Sequence, residues 1–264
     1  MKSMQLLIIS ALLFSSVAYS IEATNPGIQD QIVPITADPA PTKSPRIAVR
    51  IGYSMGFLEG SESVSWTQEV YQENAAYSVG YDAKKGNSIN FGIGYRFSST
   101  LGVDIGLDMA SRDLGALNSA SIPHPLYFNS PREADNTKGY GLKENAAFLN
   151  LVYSVPFGKL ELDLFAGPAY FMTSTELTNS ITFTESAYPY DTVSISSQSE
   201  AMKQKGIGFN AGSNLNFYMG KGVAVYVSAR YLSAKATFAP NTELPDLSLT
   251  LGGLKLGGGL KILF

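Results

Sequence analysis

The sequence predicts an all-β fold, an eight-stranded antiparallel up-and-down transmembrane β-barrel. Three observations predict it: eight segments in which apolar residues alternate with small or polar ones, connections that are alternately short and long, and a second face rich in Gly, Ala, Ser and Asn. Alternation with a period of two residues is typical of a strand with one apolar face. The mean hydropathy of +0.04 agrees, because lipid-facing and lumen-facing residues cancel in an average.

The first three segments show the alternation most clearly. In residues 46–57 every odd position is apolar, and the even positions are Arg, Ala, Gly or Ser. Residues 89–97 and 101–110 repeat this pattern, with Asn, Gly, Arg or Asp on the second face. Only Ser98, Ser99 and Thr100 separate these two segments, which predicts a hairpin with a tight turn.

The other five segments are less regular but have the same period. They are residues 148–155, 160–172, 207–217, 223–231 and 254–264. Turns of about three to five residues join the second segment to the third, the fourth to the fifth, and the sixth to the seventh, whereas three other connections need about thirty residues each. Tight turns at one end, long loops such as 58–87 and 173–205 at the other, and both termini on the turn side are typical of an even-stranded membrane barrel.

The alternative is a soluble, lipocalin-like barrel with its apolar face turned inward around a ligand. The polar face argues against it, because a water-facing strand would carry many Lys, Glu and Thr, whereas a crowded eight-stranded lumen needs small residues. Aromatic residues near the predicted strand ends also indicate interfacial girdles. They are Phe57, Tyr170 and Tyr231 toward the long loops, and Phe97, Tyr153, Phe217 and Phe264 toward the turns.

Composition excludes several kinds of site. The chain has no Cys, so it has no disulfide and no thiolate metal site, and we expect no metal and no cofactor. A formal net charge of −3 without any basic run argues against nucleic acid as a partner. Charged residues make up only 16% of the chain, below the roughly 25% of soluble domains.

The N-terminal region lies outside the predicted barrel. Residues 1–20 have one Lys, an apolar run from Leu6 to Phe14 and small residues before a cleavage point after Ser20, which predicts a secretory signal peptide. Residues 21–45 carry five prolines and no sustained period, so we expect an extended segment. The barrel domain is predicted over residues 46–264.

The last strand carries a resemblance. The stretch LGGGLKILF, with Leu256, Leu260, Ile262 and Phe264 at even spacing, resembles the C-terminal strand signal of Gram-negative outer-membrane proteins. The hairpin NFGIGYRFSSTLGVDIGLDM resembles the second and third strands of the small OmpA-like and OmpX-like barrels. The resemblance implies a bacterial outer-membrane location, contact with outer-membrane lipid and lipopolysaccharide, and reading of Phe264 by the barrel-assembly machinery. We expect this chain to lack the peptidoglycan-binding domain that follows the barrel in the full-length OmpA-type proteins.

Charged residues of both signs fall on the predicted lumen face. They are Arg50, Arg96, Arg230, Lys255, Lys261, Asp104, Asp108, Glu161 and Asp163. Because buried charges must be paired, we interpret them as a salt-bridge network that fills the lumen, with Arg96 within reach of Asp104 across the hairpin. The alternatives are an ion or solute path and a carboxylate pair for acid–base work.

We expect no enzyme activity. His124 is the only histidine and lies between Pro123 and Pro125 in the second long loop, without the neighbouring Ser and acid of a hydrolase triad. The leading hypothesis is a closed barrel that anchors long surface loops for adhesion or ligand contact, or for envelope integrity, and we expect the barrel to fold without residues 58–87. The alternative is a narrow porin-like channel, and a lipid-modifying barrel enzyme is a third hypothesis.

Overall fold

The computed structural model describes residues 47–57, 60–220, 222–240 and 244–264. The predicted signal peptide and the predicted Pro-rich extended segment lie outside the described residues. Among those residues, no helix is long and apolar enough to cross a membrane. The strands are β1 (Ile47–Gly56), β2 (Gly60–Val70), β3 (Glu73–Arg96), β4 (Leu101–Ile122), β5 (Arg132–Phe157), β6 (Leu160–Glu185), β7 (Val193–Tyr218), β8 (Val223–Phe238) and β9 (Leu247–Leu263).

Eight of these strands close into a ring. Neighbours from β3 to β9 pair antiparallel in chain order, and β1 closes the ring by pairing with β3 on one side and β9 on the other. Strand β2 continues the line of β1 along the same edge of β3: Gly56 is opposite Gly86, Gly60 is opposite Ala83, and the pairing runs on to Val70 opposite Glu73. The ring confirms the predicted eight-stranded antiparallel up-and-down barrel, and β2 extends its first strand.

Near the short turns, the two faces of the wall have the predicted orientation. Ile93, Ile105 and Val227 are exposed on the outside at 61%, 63% and 67%, whereas Asp104 and Asn150 face inward and are at most 2% exposed. We call this outer surface the apolar belt; it runs from the short turns to the level of Met55, Met109, Met172 and Tyr231. Side chains of this kind belong against hydrocarbon, so this part of the barrel spans a membrane.

The predicted long loops are mostly strand, and this part of the prediction is wrong. Strands β3 to β7 are 22 to 26 residues long, and continue well beyond the apolar belt. A tilted strand of about 9–11 residues crosses a bilayer, so the rest of each strand projects from it. We call the projecting part, residues 60–83, 112–142, 174–206, 234–240 and 244–251, the head.

A β-bulge interrupts the alternating pattern of β3, so the sequence does not predict it as one long strand. The register against β4 shifts between Ala83 and Gly86. Below the shift the even residues Ser88 and Asn90 face inward, whereas above it the odd residues Val79 and Tyr81 do. Because one extra residue reverses the phase of a period-two pattern, the alternation is interrupted at residues 83–86.

The head has an apolar interior, the reverse of the arrangement inside the apolar belt. Leu177, Phe238 and Leu251 are fully buried there, and they pack into one cluster with Phe171 and Leu232 at the boundary with the belt. Residues 58–87 contribute Ala75, Tyr77, Val79 and Tyr81 to this interior. That the barrel folds without residues 58–87 stays a prediction for the belt, whereas in the head the deletion would uncover the apolar interior, so we expect it to destabilise the head.

The distal hairpin of β6 and β7 crosses the mouth of the barrel. Its strands pair with each other up to Glu185 and Val193, but β5 joins β6 only from Leu142 downward and β8 joins β7 only from Gly208 downward. Side chains attach it instead: the Thr178 amide donates to the Tyr81 hydroxyl at 3.1 Å, and the Thr178 hydroxyl donates to Asn118 Oδ1 at 2.9 Å. The hairpin therefore covers the interior of the head.

Candidate binding platform above a charge-filled lumen

The lumen near the short turns holds a four-residue ionic cluster. Lys261 Nζ lies 2.9 Å from Glu161 Oε1 and 2.8 Å from Asp163 Oδ2, and Arg96 forms salt bridges with the same two carboxylates. Tyr218 donates to Glu161 at 2.7 Å, and Asn216 donates to Asp163 at 2.8 Å. All four charged side chains are at most 16% exposed, and each carboxylate has partners on several strands, which ties the wall together.

Three further ion pairs fill the lumen above this cluster. They are Arg50 with Asp104, Lys255 with Asp108, and Arg112 with Glu144. The predicted contact between Arg96 and Asp104 is absent although Arg96 lies diagonal to Asp104 in the register. The reason is that Arg96 reaches across the lumen to Glu161, while Arg50 on β1 forms the salt bridge with Asp104.

Arg230 has no carboxylate partner among the described residues. Its guanidinium carbon lies 4.5 Å from the ring centroid of Phe148 and 5.1 Å from that of Phe165. Arg230 lies opposite Lys255 in the register, and Lys255 already forms the salt bridge with Asp108, so this carboxylate is not left for Arg230. The expectation that Arg230 takes part in a salt bridge is wrong, and aromatic faces stabilise this cation instead.

Little free space remains between these layers. One cavity beside Arg50, Asp104 and Asp163 measures about 30 Å³, and another beside Arg112, Glu144 and Lys255 measures about 10 Å³. Volumes of this size hold about one water molecule each. No group of three or more His, Cys, Asp or Glu residues among those described could hold a metal ion.

At the far end of the head, three turns are tied together around Glu185. The Tyr71 hydroxyl, from the β2–β3 turn, donates to Glu185 Oε2 at 2.8 Å, and Arg132 forms a salt bridge with Glu185 Oε1. Arg132 also donates to the backbone carbonyls of Pro123, at 2.7 Å, and Tyr190, at 2.6 Å. We call residues 71–73, 123–132 and 185–191 the tip platform. Loops that could move separately are thereby held as one surface.

The tip platform presents apolar side chains to solvent. Leu126, Tyr127, Phe128 and Tyr188 are exposed at 51%, 59%, 74% and 77%. The positive-φ residues other than glycine among those described all lie here as well. They are Tyr71, Gln72, Asn129 and Tyr190. Such backbone conformations cost free energy and persist where surrounding contacts hold them, which is common at binding sites.

His124 is buried beneath this surface. Its Nδ1 accepts a hydrogen bond from the Leu126 amide at 3.1 Å, and its ring lies 4.7 Å from that of Tyr127. Its Nε2 is buried without a hydrogen-bond partner among the described residues. The side chain therefore shapes the turn that presents Leu126 and Tyr127, and no serine hydroxyl among the described residues donates to it.

The Glu185 contacts give the tip platform a defined response to acid. Burial alone would raise the pKa of the Glu185 carboxyl, but hydrogen bonds from Arg132 and Tyr71 outweigh it, so the pKa lies below its usual value. A lowered pKa stabilises the folded state above the pKa of the unfolded chain, and that contribution is lost as the pH falls through the folded value. The contribution of Glu185 to joining the three turns is therefore complete at neutral pH and is lost only in the acid range below the usual pKa of a glutamate.

Replacing Glu185 by Gln is expected to separate the turns at neutral pH. The amide cannot pair with the Arg132 charge, so hydrogen–deuterium exchange of residues 186–192 should rise at pH 7, and lowering the pH should add little further change. Glu200→Gln is the matched control, because Glu200 is exposed on the same hairpin and accepts a hydrogen bond from the side-chain amide of the half-buried Asn179, away from the three turns. Equal exchange in the wild type and Glu185→Gln would show that Glu185 does not hold the platform.

The residues of the predicted assembly signal lie on the outer wall. Leu256, Leu260, Ile262 and Phe264 are exposed at 42% to 70%, and the Phe264 amide donates to the Ile47 carbonyl at 2.9 Å. The last strand therefore lies beside the first. Reading of these side chains by an assembly machinery stays a prediction.

Sequence reasoning missed two ion pairs and the tip platform. Arg112 and Glu144 continue the inward phase of β4 and β5, at even positions in line with Asp108 and Phe148, so extending the alternation would have found them. Arg132 and Glu185 lie 53 residues apart on strands that do not pair at that height, and no local pattern indicates their contact.

No protein-family model matches this sequence. No curated protein matches it either. Among solved structures, the chain is similar to the outer membrane protein OprG from Pseudomonas aeruginosa, with 11% identity, 84% of this chain and 97% of that chain covered, and a TM-score of 0.42. It is also similar to Neisserial surface protein A, with 13% identity, 83% and 97% coverage and a TM-score of 0.41. A third is the outer membrane protease OmpT from Escherichia coli, with 11% identity, 83% and 97% coverage and a TM-score of 0.41.

Proposed function

We propose that this chain is a non-enzymatic surface protein of a bacterial outer membrane that binds an external ligand through the tip platform. The observation that carries the proposal is the joining of three turns around Glu185 into one surface with exposed Leu126, Tyr127, Phe128 and Tyr188. Aromatic side chains give large contact areas at low entropic cost, and a surface held in place before binding loses little further freedom.

The lumen supports an anchoring role for the barrel. Ion pairs occupy the belt region, the head above it has a packed apolar interior, and the β6–β7 hairpin covers that interior. The cavities beside the ion pairs are of single-water size, which favours a closed barrel over a solute path. The strand extensions carry the tip platform away from the membrane surface, where a partner can reach it.

Replacing Tyr127, Phe128 and Tyr188 together by Ser is expected to lower adhesion roughly tenfold or more, because exposed aromatic anchors contribute most of the free energy at such interfaces. Attachment of cells displaying the protein to an epithelial monolayer and to polystyrene beads measures this. Ser65→Ala with Thr67→Ala is the control, since both side chains are exposed on β2 away from the platform. Undiminished attachment of the triple variant to both surfaces would reject the proposal.

A further inference from the structure

Four lysines lie on the outer wall of the barrel where the apolar belt ends toward the head. Lys143 is on β5, Lys203 and Lys205 are on β7, and Lys235 is on β8, and all four are exposed. We call these residues the lysine patch. Their positions continue the outward phase of their strands, because the flanking residues Leu142 and Ala234 are buried.

The register places the four side chains side by side. Lys143 is opposite Ser174 on β6, and Ser174 is opposite Lys203 on β7, so one strand separates these two lysines, or about 10 Å. Lys205 is two residues further along the same face of β7. Gly206 lies against the Lys235 backbone, where an added Cβ would come within 2.7 Å of the Lys235 carbonyl, so Lys235 is adjacent to Lys205.

The lysine patch sits at the boundary between hydrocarbon and headgroups. Two residues below Lys205 on the same face is Ile207, exposed at 82%, followed by Phe209 at 48%. On the neighbouring strands, Met172 is opposite Lys205, and Tyr231 lies four residues below Lys235. Apolar side chains therefore end where the lysines begin, and long lysine side chains can place their ammonium groups at the headgroup level.

The four lysines of the patch form no salt bridge within the part of the chain that the structure describes. The nearest outward acids by register are Asp113, opposite Gly141 and diagonal to Lys143, and Glu176, opposite Ala201 and diagonal to Lys203; each lies one row further from the membrane than the lysine beside it. The outward side chains between Lys143 and the turn end of β5 are uncharged, from Asn145 to Phe157. The patch is thus a positive surface that faces lipid headgroups.

We propose that the lysine patch binds the phosphate groups of the outer-leaflet glycolipid, lipopolysaccharide. The inference rests on the proposed outer-membrane location with the head outside the cell. Each ammonium group supplies three donors and a full charge to phosphate oxygens, and basic residues beside a membrane strengthen attraction to anionic headgroups. Tyr170 and Phe209 lie below the lysines on the same wall, where they contact the acyl-chain boundary of the same lipid.

The test uses the full chain refolded into phosphatidylcholine vesicles that contain a small fraction of purified lipopolysaccharide. Lipopolysaccharide that stays bound after detergent extraction is measured at increasing salt for the wild type and for a variant with K143Q, K203Q, K205Q and K235Q. We expect the variant to retain roughly tenfold less, with a weaker salt dependence. A second variant with Arg at all four positions should bind as the wild type does, and K159Q, in the exposed β5–β6 turn, should also leave binding unchanged.

Two further arms separate the sources of phosphate. Dephosphorylated lipopolysaccharide should bind the wild type as weakly as intact lipopolysaccharide binds the Gln variant, and millimolar inorganic phosphate should not displace the lipid. Displacement by inorganic phosphate would show that the lysine patch binds a free anion and not the lipid, and would overturn the proposal. Equal retention by the wild type and a Gln variant that still shows heat-modifiable gel migration would overturn the proposal. Adhesion through the tip platform does not use these lysines, so the two proposals fail separately.

Discussion

Replacing Lys261 by Met is expected to lower the free energy of unfolding of the barrel by about 3–5 kcal/mol, the cost of breaking a buried ion pair by removing one partner. Lys261 is 3% exposed and contacts Glu161 and Asp163, and without it Arg96 alone faces two carboxylates. Urea unfolding in phosphatidylcholine vesicles, followed by the heat-modifiable gel shift, measures the change.

The control and the rescue identify the cause. Lys159→Met removes an exposed lysine from the β5–β6 turn and should leave the unfolding midpoint nearly unchanged. Adding Asp163→Asn to Lys261→Met removes the one uncompensated carboxylate and leaves Arg96 paired with Glu161, so it should recover much of the lost stability. A Lys261→Met protein with the wild-type midpoint would show that the cluster contributes no stability.

The same proteins test the closed lumen. The wild type should give no conductance steps in planar bilayers, whereas Lys261→Met loosens the layer at the turn end and should increase transient openings. Regular conductance steps from well-folded wild-type protein would favour the channel hypothesis over an anchor.

Replacing Phe171 by Ala is expected to destabilise the head by about 3–5 kcal/mol, because this side chain at the boundary with the belt is 1% exposed, packs into the apolar cluster of the head and would leave a cavity there. Since the head lies beyond the apolar belt, hydrogen exchange should rise across β3, β6 and β7 in the head while exchange in the belt changes little. Tyr188→Ala is the control for removing an aromatic ring in the head, because Tyr188 is 77% exposed. A Phe171→Ala protein with unchanged exchange in the head would show that this interior is not a packed core.

The barrel therefore has two interiors with different chemistry. Within the belt the outside is apolar and the inside carries ions, whereas in the head the inside is apolar and the outside is largely polar. The difference depends on what surrounds each part of the wall. Where lipid surrounds the wall, apolar side chains are stable on the outside and the inside can carry ions. Where water surrounds it, the apolar side chains are buried inside. The head thus folds by the same burial of apolar side chains as a soluble β-protein and can support an ordered tip platform.

Much of the belt was predictable from the sequence. The alternation from Ile47 to Phe57 or from Leu101 to Met109 determines which side chains point outward, because side-chain direction along a strand is a local property with a period of two. The same property placed Arg50, Asp104, Lys255 and Lys261 in the lumen. The number of strands and the closure of the ring follow once each short turn is recognised.

Only the tertiary structure decided how the inward residues pair and what the long connections form. Arg96 contacts Glu161 rather than Asp104, and Arg230 contacts Phe148 and Phe165, because barrel closure and strand stagger determine which side chains meet across the lumen. The bulge at Ala83 and Gly86 reverses the phase of β3, and Glu185 meets Arg132 and Tyr71 through a hairpin that folds over the mouth. These contacts join residues distant in sequence, and a local pattern carries no information about them.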